Sequence, residues 1–353
     1  MRNEEIIKNR ICWVDYAKAI GIILVVYGHI VRGLHKSGII MPNDLYKLID
    51  SIIYSFHMPL FFFLSGLFFY NSLSKQGGIK LIISKIDNIV YPYIIWSIIQ
   101  GLIEVQFSQY TNNHISYGEI FTLFWSPSAQ FWFLYALFII FVLASMMYSV
   151  ASKKMIIITF LLSSVVYIYP SILPQGFIFG FISQNFVFFS LGVVFSLYHN
   201  EKNRTSLLYV VCMVLLFVFS QYIFHGYMHL DYLNKGIASL MLSIISIVAI
   251  IYLSQSISKK HYRFLSFLGK SSMAIYLMHV IAGSGVRIIL KKGLGIDSFI
   301  IHLFLGCLFG ILIPGIAFYL IDKYKIKYML SAPINSCVIS SYEYILRTRS
   351  SLK

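Results

Sequence analysis

The sequence predicts an all-α fold, a polytopic bundle of about ten membrane-spanning helices, on three observations. Of 353 residues, 58% are hydrophobic and 12% charged, about half the charged share of soluble domains. The apolar residues gather into windows of about 20, the length that crosses a hydrocarbon core. Lys and Arg stand mostly in the short segments between those windows, where they set topology. The net charge of +15 therefore argues for contact with anionic membrane lipid. It does not argue for nucleic acid, which requires a concentrated basic patch.

Ten windows qualify: residues 12–32, 51–70, 88–107, 131–150, 155–170, 176–198, 206–224, 236–255, 265–290 and 298–321. The first contains WVDYAKAIGIILVVYGH at 13–29 and holds Asp15, Lys18 and His29. An ionised group at bilayer depth costs about 2.5–3.5 kcal/mol on insertion scales, so such residues call for a polar cavity or for each other. Lys18 and His29 are eleven residues apart, which places them within about 20° on one helix face and about 16 Å apart along the axis. This run has no small-residue cleavage site after it and is read as a span, not a signal peptide. In the second window His57 precedes Pro59, which kinks a helix, and Ser65-Gly66 suits close helix packing.

Before the third window stand Lys80, Lys85 and Asn88, then Tyr91-Pro92-Tyr93, the pattern of a basic flank and an aromatic belt. The fourth opens with Gln130, Phe131, Trp132, Phe133, Leu134 and Tyr135, aromatics that suit either a belt or the wall of a sugar site. The fifth is short and ends at Pro170, so it is either a tilted crossing or a re-entrant segment. The ninth carries Ser271, Ser272, Tyr276 and His279, with Ser272 and His279 on one face.

Segments 1–11, 71–87, 151–154, 199–205, 256–264 and 322–353 hold 19 of the 28 Lys and Arg residues. The opposite side holds six: Arg32, Lys36, Lys47, Lys235, Lys291 and Lys292. This bias predicts cytoplasmic N- and C-termini. One membrane domain, 1–321, is then followed by a basic cytoplasmic tail, 322–353, resting on anionic lipid. The longest outer loops, 33–50, 108–130 and 225–235, are too short to fold alone, so chemistry belongs between helices or at their mouths. The four cysteines show no paired spacing, and neither a disulfide framework nor a metal site is expected.

His29 sits where a general base meets a hydroxyl arriving from outside, because imidazole titrates near neutral pH. Asp15 and Lys18 have the i, i+3 spacing of a pair that neutralises itself. Lys18 equally suits a phosphorylated donor at the inner mouth, as a point cation. His57 and His279 are either core histidines or members of the His29 site.

The constellation resembles the acyltransferase-3 family of integral membrane acyltransferases, in particular its branch similar to fucose 4-O-acetylases. The resemblance spans nearly the whole chain. It rests first on the basic residue and histidine of the first span, Lys18 and His29, and then on FHMPLFFFLSG at 56–66, VYPYIIWS at 90–97, FWFLYALF at 131–138 and SSMAIYLMH at 271–279. It implies transfer of acetyl from cytoplasmic acetyl-CoA to a carbohydrate acceptor, a surface polysaccharide or its polyprenyl-linked precursor, by a multi-pass protein of the cytoplasmic membrane. Many members carry two arginines three residues apart before the third span, and Lys85 and Asn88 occupy those places here. The implied site has His29 as general base or acyl carrier, with Asp15 and His57 beside it. Lys18, Lys85 and Asn88 would hold the donor, and Trp132, Tyr135, Tyr276 and His279 the acceptor. A transporter or flippase of a lipid-linked glycan intermediate is the competing expectation, and an assembly subunit of a polysaccharide machine a third; neither would turn over acetyl-CoA.

Overall fold

The structure, a computed structural model, describes residues 12–39, 41–109, 116–149, 151–198 and 206–334. The expected segments 1–11 and 199–205, and residues 335–353 of the tail, lie outside the described residues. Among the described residues, nine helices are long and apolar enough to cross a membrane. They are α1 (Cys12–Lys36), α2 (Asn43–Gln76), α3 (Gly78–Gln106), α4 (Tyr117–Tyr148), α6 (Phe177–Tyr198), α7 (Leu207–Tyr227), α8 (Ile237–Ser258), α9 (Arg263–Gly293) and α10 (Phe299–Lys323). The remaining long helix, α5 (Lys153–Ile168), has 16 residues, a rise of about 24 Å where a hydrocarbon core is about 30 Å thick.

Packing settles what α5 does. Trp132 near the apolar start of α4 stacks on Phe181 near the start of α6, with ring centroids 5.9 Å apart. Tyr148 at the end of α4 donates to Ser190 Oγ further along α6 at 3.2 Å. The two helices therefore run in the same direction, and α5 must return the chain along the height of the bundle. The all-α fold thus has ten helical passes among the described residues, with the shortest at the expected place.

Several helices outrun their apolar windows. Helix α1 continues to Lys36 and α2 begins at Asn43, so most of the expected loop 33–50 is helical. A hydropathy window registers the apolar part of a helix, while the backbone ladder continues through any amphipathic flank. Helices α2 and α3 meet at Gly77, whose φ of 76° is a conformation that glycine adopts without strain.

Helix α2 is built in three pieces, Asn43–Tyr54, His57–Leu67 and Phe69–Gln76. The first break follows from Pro59, which has no N–H for the Ser55 carbonyl four residues back. That carbonyl accepts instead from Ser243 Oγ of α8 at 2.7 Å. The kink thereby sets His57 at the start of a new helical piece.

Helix α1 lies at the centre, packed most extensively on α9 and also against α8, α10 and α2. Close approach depends on small residues, as in other membrane bundles. A Cβ at Gly269 would collide with the Asp15 carbonyl across the α1–α9 contact. Gly66 and Gly192 do the same for α2 and α6, each facing a backbone carbonyl of the other helix. Helices α7 and α10 are the least buried and form the periphery.

Candidate active site

A cavity of about 970 Å³ opens at the end of the bundle that carries His29. Six helices line it: α1 with His29 and Arg32, α2 with Asp50, Tyr54 and His57, α3 with Gln100 and Glu104, α4 with Gln130 and Trp132, α9 with Tyr276 and Arg287, and α10 with His302. Val25, Ile30, Ile103, Phe107 and Ile281 supply apolar wall between these groups, and a largely apolar concavity with a few convergent polar groups is the usual form of a small-molecule site.

His29 is half-buried on the cavity wall and has no hydrogen-bond partner among the described residues. His57 is buried, and its Nδ1 lies 2.7 Å from the Ile53 carbonyl. A carbonyl only accepts, so Nδ1 carries the proton and Nε2 keeps its lone pair in the neutral ring. His279 stands behind the wall, with its ring centroid 5.0 Å from that of His29.

Polar groups from several helices complete the mouth. Arg32 makes a bidentate pair with Asp50, at 2.7 and 2.8 Å, while its guanidinium lies 3.4 Å over the Tyr54 ring. The same guanidinium donates to Tyr232 Oη at 3.1 Å, and Ser51 Oγ accepts from the Tyr232 backbone N–H at 2.8 Å. These bonds tie the 228–236 connection across the cavity rim. On the opposite wall Gln100 donates to Glu104 at 2.9 Å and accepts from Gln130 at 2.7 Å. Tyr276 donates its hydroxyl to the Gln130 carbonyl.

Lys18 stands at the other end of α1, which is unbroken between it and His29. Lys85 of α3 lies near enough for the two ammonium groups to repel, and its Nζ is 4.5 Å from the Phe141 ring centre. Asp15 is buried, and both it and Lys18 are engaged by neighbours. Asn88 is exposed and spends its amide on the Ser84 carbonyl of its own helix, at 2.8 Å. Asp87, one residue earlier, is buried and accepts from the Ile334 backbone N–H through its carboxylate and from Ala332 through its carbonyl, both at 3.1 Å. Trp96 Nε1 donates to the Met329 carbonyl at 2.8 Å. The described start of the basic tail is therefore tethered to α3.

The structure brings His29, His57, Trp132 and Tyr276 onto one cavity wall, with His279 directly behind. Lys18, Lys85 and Asp15 gather at the opposite end. Tyr135 is not among the lining residues; its ring packs with Tyr93, Phe177 and Phe181. Arg32, Asp50, Gln100, Glu104, Gln130 and Arg287 were not legible as site residues. Two of them carried a usable signal: Gln100 and Glu104 lie at i, i+4 inside an apolar window, where polar groups have a function by default.

The fold and cavity define a polytopic membrane protein with a catalytic type of pocket, in which an unpaired imidazole faces polar and aromatic walls. The chain belongs to the acyltransferase-3 family: the family model described as an acyltransferase domain matches residues 11–319. It is thus a multi-pass membrane acyltransferase. No curated protein and no solved structure matches the chain.

Proposed function

We propose that the protein is an O-acetyltransferase that moves acetyl from cytoplasmic acetyl-CoA to a sugar hydroxyl of a surface polysaccharide, or of its lipid-linked precursor, at the outer face of the cytoplasmic membrane. The observation that carries this reading is the division of labour along α1, with cations at one end and an unpaired imidazole in a large cavity at the other. Coenzyme A is too polar to cross a bilayer. Its phosphates would stay beside Lys18 and Lys85 while the slender pantetheine arm carries the thioester up the roughly 16 Å to His29.

At that point His29 takes the proton of the acceptor hydroxyl as the sugar oxygen attacks the thioester carbonyl. The C–S bond breaks, and the same proton passes to the coenzyme A sulfur. Trp132 and Tyr276 offer flat apolar surface to a sugar ring, and Glu104 with Gln100 and Gln130 offers acceptors and donors to its hydroxyls. Phe61, against Gly21 of α1, and Phe133, which contacts both Phe61 and Tyr276, fill the way between the two ends. Donor entry requires those rings to move.

The test uses purified protein in lipid nanodiscs with radiolabelled acetyl-CoA and a lipid-linked glycan extract. Coenzyme A release with label appearing in glycan is the expected result. Absence of both sinks the reading, as does unchanged acetyl content of surface polysaccharide in cells lacking the protein.

A further inference from the structure

His279 is fully buried, and its ring is held from one side. Nδ1 lies 3.0 Å from the Ile275 carbonyl and 2.8 Å from the Tyr276 carbonyl. Since both partners only accept, Nδ1 carries the proton and Nε2 of the neutral ring carries a lone pair. Nε2 is buried and has no hydrogen-bond partner among the described residues. A buried polar atom left unpaired costs about 1–3 kcal/mol, so each such atom asks for an explanation.

Two polar rings border His279. Tyr276, at 6.2 Å between centroids, has its hydroxyl committed to the Gln130 carbonyl. His29, at 5.0 Å with planes inclined by 67°, has no hydrogen bond of its own. Ring nitrogens that face each other across that centroid spacing stand about 3 Å apart, a hydrogen-bond distance, and the terminal torsion of His29 is soft enough to turn one of its nitrogens toward His279. Catalytic hydrogen bonds are often loose before substrate arrives and tighten with it. The two helices concerned, α1 and α9, form the most extensive contact in the bundle, so the rings cannot drift apart.

We propose that His279 is a positioning residue: its Nε2 accepts the proton-bearing nitrogen of His29, which holds the other His29 nitrogen unprotonated and turned toward the acceptor hydroxyl. The proposal rests on the reading of His29 as the base. It follows the general arrangement in which a base is oriented by a third group behind it. Here that group is a neutral imidazole, so no anion has to be buried. When His29 takes the acceptor's proton, its N–H toward His279 becomes a charge-assisted donor and strengthens. The proton then leaves for the coenzyme A sulfur, and His279 neither gains nor loses one.

The test is nitrogen magnetic resonance of the full chain in nanodiscs with ¹⁵N-histidine, which separates protonated from bare ring nitrogens. His29 signals are identified by their loss in His29→Gln. The unmodified protein should show His29 in a single tautomer. His279→Phe keeps a ring and removes the acceptor, and should leave His29 averaging between tautomers. His279→Gln keeps an acceptor oxygen and should restore one tautomer. Should His279→Phe fail to insert, His279→Met makes the same comparison. A His29 spectrum identical in the unmodified and acceptor-free proteins overturns the proposal.

Coenzyme A release gives the second reading. It should fall about 10- to 100-fold in His279→Phe, part of the roughly 10²–10⁴-fold that a general base supplies, and by less in His279→Gln, with acetyl-CoA binding unchanged in both. Equal losses in the two variants also overturn it. A tautomer difference in a protein that releases no coenzyme A supports the pairing and sinks the acetyl-transfer reading instead.

Discussion

At its His29 end, α1 borders a cavity of about 970 Å³ with charged and aromatic walls; at its Lys18 end the same helix is pressed against its neighbours. There the Asp15 carbonyl meets Gly269 of α9 without room for a side chain, Trp13 and Ala17 are buried, and Tyr16 donates to the Tyr262 carbonyl at 3.2 Å. Burial of charge is handled differently at the two ends. Arg32 and Asp50 neutralise each other in an open mouth, whereas Lys18 lies within electrostatic reach of a like charge, Lys85, while it and the buried Asp15 are both engaged by neighbours. The contrast fits the proposed reading, in which the open end takes the hydroxyl-bearing acceptor and the packed end meets the phosphorylated donor.

The largest effect that separates the two ends is expected at His29. Replacing it with Gln keeps a hydrogen-bonding side chain but removes the basic nitrogen. Transfer should fall by about 10²–10⁴-fold while calorimetric binding of acetyl-CoA is unchanged. A transfer rate within a few-fold of the unmodified protein would break the assignment of chemistry to this end.

Lys18→Ala should act the other way round, weakening acetyl-CoA binding by about 10- to 100-fold, the scale of one charged hydrogen bond, with little change in turnover at saturating donor. Lys18→Arg should recover part of the affinity. Normal binding by Lys18→Ala in the same titration would make Lys18 a structural partner of Asp15.

The packed character of the Lys18 end is tested by Gly269→Ala, where the added methyl group collides with backbone. Overpacking of this kind costs about 1–3 kcal/mol, read as a drop in the thermal midpoint in nanodiscs. Gly180→Ala in α6, with nothing within 4 Å of the new methyl group, is the control and should be neutral or slightly stabilising. Equal midpoints for the two variants would show that the end is looser than its packing implies.

The smallest effect is expected at Asn88. Its amide is spent on the Ser84 carbonyl, and the residue is exposed, so Asn88→Ala should alter acetyl-CoA affinity by less than about threefold, as surface changes usually do. A larger loss in a donor titration would place the phosphates at the start of α3 and extend the binding end beyond Lys18 and Lys85.

Much of this molecule follows from its sequence alone, because the decisive physics is local. Insertion into a bilayer selects about 20 consecutive apolar residues, so the windows found the helices, including the short α5. Helix geometry alone fixes the spacing of Lys18 and His29, and it holds in the unbroken α1. The kink before Pro59 is equally local, since a missing N–H is a property of the residue. Helix neighbours were settled only by tertiary packing. Arg32 finds Asp50, Gln100 finds Gln130, and His29 finds His279 through contacts between distant spans, which no periodicity encodes. The direction of α5 likewise emerged from the Trp132–Phe181 stack, and the mooring of the tail from the buried Asp87 carboxylate. Gln100 and Glu104 are legible as an i, i+4 polar pair that a window average conceals, but only the tertiary structure shows that they face Gln130 on a cavity wall.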